Sequence, residues 1–267
     1  MRVDLVEGPA GADPSPLLDV AMAHAFLDLV AAGQRPPVVR WYRPHATVAF
    51  GRRDRFLDGF PDAVAAAQRH GFVPVIRGAG GRAAAYHEGC LIFDEVMPAG
   101  ASIAGIRERF ADDARRQASA LRGLGVDARV GEVPGEYCPG EFSVNARGRV
   151  KLIGAAERIV RGSWLHSSVV VVQSATPIRR VLTDVYAALG LDWDPETTGA
   201  VADEVPGVGI DTVRRVLLAD YAARYELAPA SLGDLELARA RELLDRHRPD
   251  ALDPHRPDAL DPHRPDS

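Results

Sequence analysis

Cys138 and Lys151 are the residues of this 267-residue chain whose types and spacing point most directly to chemistry. A thiol becomes a strong nucleophile near neutrality when a neighbouring cation lowers its pKa. Cys138 sits in Glu136-Tyr137-Cys138-Pro139-Gly140-Glu141, among Gly, Pro and acids without apolar periodicity, the setting of an exposed thiol. The other cysteine, Cys90, runs into Leu91-Ile92-Phe93 and reads as a packed core thiol. Lys151 is the sole lysine beside 31 arginines, in a total of 32 basic residues. Arginine replaces lysine wherever a solvated positive charge is enough, but its planar fork cannot stand in for a compact, rotatable ammonium. Position 151 is therefore expected to need the ammonium itself. A hairpin turning at Asn145-Ala146-Arg147-Gly148 is expected to carry it back towards Cys138.

A second chemistry-bearing stretch is Arg77-Gly78-Ala79-Gly80-Gly81-Arg82-Ala83-Ala84-Ala85-Tyr86-His87-Glu88-Gly89-Cys90. As a bare pattern, Gly78, Gly80 and Ala83 match a dinucleotide fingerprint. The residues that follow run into Leu91-Ile92-Phe93 rather than an amphipathic helix, so the βαβ context of that motif is missing. A tight glycine turn between strands is the plain alternative. It leaves unexplained why Arg77 and Arg82 flank a backbone able to present several N–H groups, which suits an anionic or carbonyl-bearing ligand. His87, between Tyr86 and Glu88, reads as structural more readily than catalytic, and His166 does the same. Trp41, Trp164 and Phe50 read as core or as the lining of an apolar pocket.

The elements that must position these residues are legible in outline. Ser15-Pro16 caps a helix with apolar spacing through Leu18, Met22, Phe26 and Leu29 until Gly33. Val38–Tyr42 and Thr47–Phe50 read as strands, Pro61–His70 as a helix, Val73–Ile76 as a buried strand and Leu91–Val96 as another. A long helix is expected over Ile103–Leu124, short β runs from Ala128 to Val172, and helices near Ile178–Leu189, Thr212–Tyr225 and Ser231–Leu244. Strands cluster without a strict βαβ rhythm, which predicts an α+β fold with a mixed, largely antiparallel sheet flanked by helices. One domain is expected over residues 1–246. From His247 the chain repeats His-Arg-Pro-Asp-Ala-Leu-Asp-Pro, and proline at that density excludes a helix, so 247–267 is expected to be a disordered tail whose histidines bind no metal.

Net charge is −5, with 37 acids against 32 basic residues, so nucleic acid is not expected as a partner. No uncharged apolar stretch approaches the roughly 20 residues that span a bilayer, and Met1-Arg2-Val3-Asp4 opens no apolar signal core; neither a membrane nor export is expected, and the expected location is cytoplasmic.

Arg77, Gly80, Gly81, Arg82 and Ala83 with Tyr86, His87 and Gly89, followed by Val150-Lys151-Leu152-Ile153-Gly154-Ala155-Ala156 and Arg158, resemble the lipoate-protein ligase and octanoyltransferase family, from about residue 10 to 225. The resemblance implies the catalytic fold shared with biotin protein ligases, itself class II synthetase-like, and transfer of an octanoyl or lipoyl group to a lysine of a lipoyl-domain carrier protein. It places Lys151 as a catalytic residue; Cys138 stands as the catalytic nucleophile on its exposed setting and nearby cation, since the family's octanoyltransferases do not place their cysteine at an identical spacing from the lysine. Arg77, Gly80, Gly81, Arg82, Ala83, Tyr86, His87, Gly154 and Ala155 become substrate-binding, with Gly80-Gly81 lining the acyl pocket and Lys151 contacting the acyl carbonyl or an adenylate phosphate. Departures from the ligase pattern are Gly78 after Arg77, Glu88 after His87, and Cys90 where a small polar residue is usual. The first reading is a transferase that takes the acyl group from an acyl carrier protein onto Cys138 and requires no cofactor. A second is a ligase that activates free lipoate with ATP and Mg as an acyl adenylate, and a third is a non-catalytic module that binds carrier or lipoate. Biotin is a further possible cargo, since pocket depth decides it.

Overall fold

The computed structural model describes residues 1–10, 15–99 and 105–250. In chain order its strands are β1 (Arg2–Glu7), β2 (Val38–Tyr42), β3 (Thr47–Phe50), β4 (Val73–Ile76), β5 (Ala84–Tyr86), β6 (Cys90–Pro98), β7 (Ala128–Val130), β8 (Val144–Ala146), β9 (Val150–Val160), β10 (Ser163–Val171) and β11 (Glu226–Ala230). Its helices are α1 (Pro16–Ala31), α2 (Phe60–Arg69), α3 (Ile106–Arg122), α4 (Thr176–Leu189), α5 (Val201–Glu204), α6 (Ile210–Arg224) and α7 (Asp234–Leu243). Eight strands form one sheet in the order β11-β1-β2-β6-β10-β9-β8-β7, and a small sheet runs β4-β3-β5. Pairing is antiparallel from β2 to β7, while β1 lies parallel to both β2 and β11. The fold is thus the mixed, largely antiparallel α+β arrangement expected. The glycine stretch joins β4 to β5 with no helix after it, so the dinucleotide reading has no βαβ unit to rest on.

Local chemistry explains where the elements start and turn. Ser15 Oγ accepts the Leu18 N–H at 3.3 Å and Pro16 occupies the first helical turn, as the sequence predicts for α1. The β8–β9 turn uses Arg147 and Gly148 at positive φ and places Asn145 opposite Lys151. Three apolar clusters fill the interior: α2 and α4 against the small sheet, α3 and α6 against one face of the large sheet, α1 and α7 against the other. Strands β1 and β11 carry no pattern by which the sequence announces them, because β11 follows α6 without a break and contains Pro229. Ile103 and Ala104, expected to open α3, lie outside the described residues. Among the described residues no helix is long and apolar enough to cross a membrane.

The expected tail needs a boundary correction. His247 is buried, its Nδ1 within 2.7 Å of the Ile76 carbonyl and its ring against that of His24. An imidazole packed under β4 belongs to the domain, which therefore continues through His247. The repeats from residue 251 lie outside the described residues.

Candidate active site

Cys138 is held in the left-handed region at φ 43°, a conformation that costs a non-glycine residue of order 1–3 kcal/mol and persists where the surroundings fix it. Both ends of the residue are fixed. Its N–H donates to Tyr186 Oη at 2.8 Å, and that hydroxyl donates to the Ala83 carbonyl at 2.9 Å. Its carbonyl accepts from Lys151 Nζ at 2.9 Å. The turn thereby aims Sγ at the glycine stretch, where Arg77 Nη2 approaches to 3.1 Å and the Arg82 backbone N–H to 3.3 Å. Burial pushes the thiol up, but the Arg77 guanidinium, the Lys151 ammonium and these two hydrogen bonds outweigh it, so the group sits below its ordinary value. Cys90 shows the opposite: fully buried among apolar neighbours, its thiol is pushed up to about 12. The two thiols are thus shifted in opposite directions; Cys90 is packed in the core, and Cys138 is half-buried rather than freely exposed.

Gly81 makes the close approach possible. A Cβ there would lie 2.5 Å from Arg77 Nη2 and 2.6 Å from Cys138 Sγ, and its φ of +100° is one that glycine adopts freely. Arg82 reaches the thiol with its backbone while its side chain pairs with the buried Asp54 at 3.1 Å. Asp54 also accepts the Gly51 N–H at 2.8 Å, so three loops are tied together around Sγ.

Lys151 is buried beneath this turn. Its ammonium donates to Glu136 Oε1 at 3.2 Å, to the Tyr137 carbonyl at 3.2 Å and to the Cys138 carbonyl at 2.9 Å, and stands over the Tyr137 ring. Glu136 in turn accepts from the Gly140 N–H at 2.9 Å and Ser143 Oγ at 2.6 Å. Gly154 gives the lysine room, since a Cβ there would be 2.9 Å from Lys151 Cε. All three ammonium protons are spent on the loop, so the lysine acts here through its field and through the backbone it fixes. A direct bond to an acyl oxygen, the role the resemblance implies, would require it to release one of its carbonyls.

A cavity of about 970 Å³ opens beside Sγ. Its apolar wall includes Tyr42, Ile92, Ala155 and Val169, and its rim includes Gly80 and Gly81.

A model of the lipoyl protein ligase A/B catalytic domain matches residues 15–220. The chain belongs to that family. An octanoyl-[GcvH]:protein N-octanoyltransferase of Geobacillus kaustophilus is 28% identical over 197 residues, 72% of this chain and 69% of the relative. That of Exiguobacterium sibiricum is 31% identical over 162 residues, 56% and 55% of the two chains. A lipoyl-[GcvH]:protein N-lipoyltransferase of Listeria monocytogenes is 23% identical over 207 residues, 71% and 73%. The chain thus spans between about half and three quarters of these relatives' lengths. Among solved structures, lipoate-protein ligase A bound with ATP superposes with a TM-score of 0.70 at 23% identity, covering 92% of this chain and 94% of that one. The bi-partite lipoate protein ligase of Thermoplasma acidophilum gives 0.69 at 23%, covering 92% of each. These last two likenesses are likenesses of fold.

In this lipoyl protein ligase A/B domain, Arg77, Gly80, Gly81, Tyr86, Gly154 and Ala155 all border the cavity together with Cys138 and Lys151. Ala83 lies behind it, offering its carbonyl to Tyr186. His87 stands apart from the cavity lining: Nδ1 accepts from the Gly89 N–H at 3.0 Å and Nε2 donates to the Ser174 carbonyl at 2.9 Å, so both ring nitrogens are engaged in the turn before β6. Phe50 is core, and Trp41 and Trp164 lie under Arg214 and Arg109 away from the cavity. Sequence reading did not single out Glu136, Tyr186 and Asp54. Glu136 adjoins Cys138 in sequence and could have been read as the partner of a buried lysine; nothing in the sequence pointed to Tyr186 or Asp54.

Proposed function

We infer that this chain transfers an octanoyl or lipoyl group from an acylated carrier protein to a lysine of a lipoyl-domain protein, by way of a thioester on Cys138. The reading is carried by one observation: in a member of this family, a thiol held below its ordinary pKa lies between Arg77 and the Arg82 N–H in the lining of a cavity of about 970 Å³ that also presents Tyr42, Ile92 and Val169. The Geobacillus and Listeria relatives, named for octanoyl and lipoyl transfer from GcvH, support the donor class.

The Cys138 thiolate attacks the carbonyl of the donor's acyl-lysine amide; the C–S bond forms, the acyl C–N bond breaks, and the donor's lysine amine leaves with a proton taken from solvent. A lysine amine of the acceptor then attacks the thioester carbonyl, the C–S bond breaks, an amide forms, and the amine's surplus proton departs to solvent while the thiolate is restored. Negative charge develops on the carbonyl oxygen in both steps, next to Arg77 and to the rim amides of Gly80 and Gly81; preorganised donors of this kind are worth about 3–4 kcal/mol each.

Intact-mass analysis tests the reading. Octanoylated GcvH without ATP should add one octanoyl group to the enzyme and none to Cys138→Ala. Acylation that requires ATP and free acid and survives Cys138→Ala would replace this mechanism with an acyl adenylate, and binding without any acylation would leave a carrier-binding module.

A further inference from the structure

The turn that follows β3 carries an unusual surface. Arg52 and Arg53 are exposed, border the cavity, and pair with no acid among the described residues. Many exposed arginines elsewhere do pair: Arg107 with Glu141, Arg115 with Asp112, Arg129 with Asp127. Residues Asp54–Phe56 form one 3-10 turn with Arg53 at its N-cap, and side chains three apart eclipse in such a turn. Arg53 and Phe56 therefore share a face. Phe56 is 64% exposed and is the aromatic among the large exposed apolar side chains. Asp54, between them, points inward and is fully buried, holding Arg82, whose N–H contacts the thiol. Across the cavity, Arg158 of β9 adds a further guanidinium to its lining.

We propose that the face formed by Arg52, Arg53 and Phe56 is where the carrier protein docks, through carboxylates and an apolar contact next to its acylated lysine. The proposal takes its partner from the acyl-transfer reading above. An acyl group on a lysine arm reaches Cys138 only if the body of its carrier rests at the cavity's mouth. Aromatic and arginine side chains dominate the energetics of protein interfaces, and uncompensated guanidinium groups select an acidic face. The chain as a whole carries −5, so this positive rim also orients an acidic partner towards the one end where transfer occurs. Because the turn is anchored through Asp54 and Arg82, contact there bears on the loop that aims the thiol.

Fluorescence anisotropy of labelled, unacylated GcvH against the full-length protein reads docking without chemistry. Arg53→Glu should raise the dissociation constant about tenfold and Phe56→Ser about fivefold. Salt should weaken binding of the parent more than of Arg53→Glu. Arg215→Glu, reversing an exposed arginine of α6 remote from the cavity lining, should change it by about twofold or less. Acyl-enzyme formation from a small octanoyl thioester, followed by mass, should persist in Phe56→Ser, whose side chain is not in the cavity lining. The proposal is overturned if the parent does not bind the carrier, if both variants bind like the parent, if Arg215→Glu weakens binding as much as Arg53→Glu, or if Phe56→Ser loses acylation by the small thioester that the parent undergoes. Carrier binding that depends on these side chains, in a parent that forms no acyl-enzyme, upholds the docking face and removes the acyl-transfer reading instead.

Discussion

Two cations and one backbone N–H act against burial at Cys138 Sγ. The Arg77 guanidinium makes the shortest contact with Sγ, and Lys151 and the Arg82 amide add to it. Replacing Arg77 by Gln removes the strongest of these and leaves burial less opposed, so the thiol pKa must rise. Iodoacetamide alkylation of Cys138, followed by mass across pH, should slow at neutrality in Arg77→Gln, with its midpoint displaced upward. An unchanged profile would mean that Arg77 does not set the thiolate population. Lysine at position 151 is explained at the same scale. The buried site offers a carboxylate and two carbonyls around one small cation, a space that a planar fork cannot occupy without displacing the turn that carries the nucleophile.

Between residue and fold stand the loops that meet at Sγ: the glycine stretch after β4, the segment before β8, and the turn after β3. Their close approach depends on Gly81. Alanine there adds a Cβ within 2.6 Å of both Arg77 Nη2 and Cys138 Sγ at a φ of +100°. Gly81→Ala should cost about 1–3 kcal/mol in thermal or urea unfolding and lower the rate of acyl-enzyme formation by about a hundredfold, since misplacement by an ångström is enough for that. A variant acylated at the parent's rate would show that the contact between loops is dispensable. The β8–β9 hairpin belongs to this scale too. Its turn at Arg147-Gly148 fixes the register that sets Lys151 opposite Asn145, and with it the height of the ammonium beneath the Cys138 turn.

Across the whole molecule, helices α3 and α6 are fastened to the large sheet by a buried charge network. His166 of β10 lies between Asp113 of α3 at 3.0 Å and Glu157 of β9 at 3.3 Å. Arg109 pairs with Glu157, Arg116 with Asp113 and Asp220, and Arg224 with Glu95 and Asp220. Burial alone would lower the His166 pKa; Asp113 and then Glu157 outweigh it and raise the group from 6.5 to about 10. A pKa raised by folding contributes stability that is complete below 6.5 and disappears as pH climbs to about 10. Thermal unfolding should therefore show His166→Gln well below the parent at neutral pH, with the gap narrowing towards pH 10. A gap that stays constant would assign the loss to packing against Phe110 rather than to charge.

Much of this was legible in the sequence, and for identifiable reasons. Capping, apolar periodicity and β-branched runs located α1, α2, α4, strands β2, β3, β4 and β6, and the β-rich stretch that holds β7 to β10, because those signals act within a few residues, whereas β5 reads as part of the glycine stretch. Composition marked Lys151, and the contrast between Cys138 and Cys90 followed from their immediate neighbours. Strands β1 and β11 stayed hidden because each is completed by pairing with the other, more than two hundred residues away. The same holds for Tyr186, Asp54 and the burial of His247: each acts through a contact with a distant segment, and no local pattern encodes it. The sequence by itself singled out Cys138 and Lys151 as candidates, since a thiol and an ammonium are properties of residue type. Tertiary structure decided that Lys151 spends its protons on the turn, that His87 serves the backbone, and that the thiol's field comes chiefly from Arg77, because electrostatic and hydrogen-bonding roles depend on distances that chain folding alone sets.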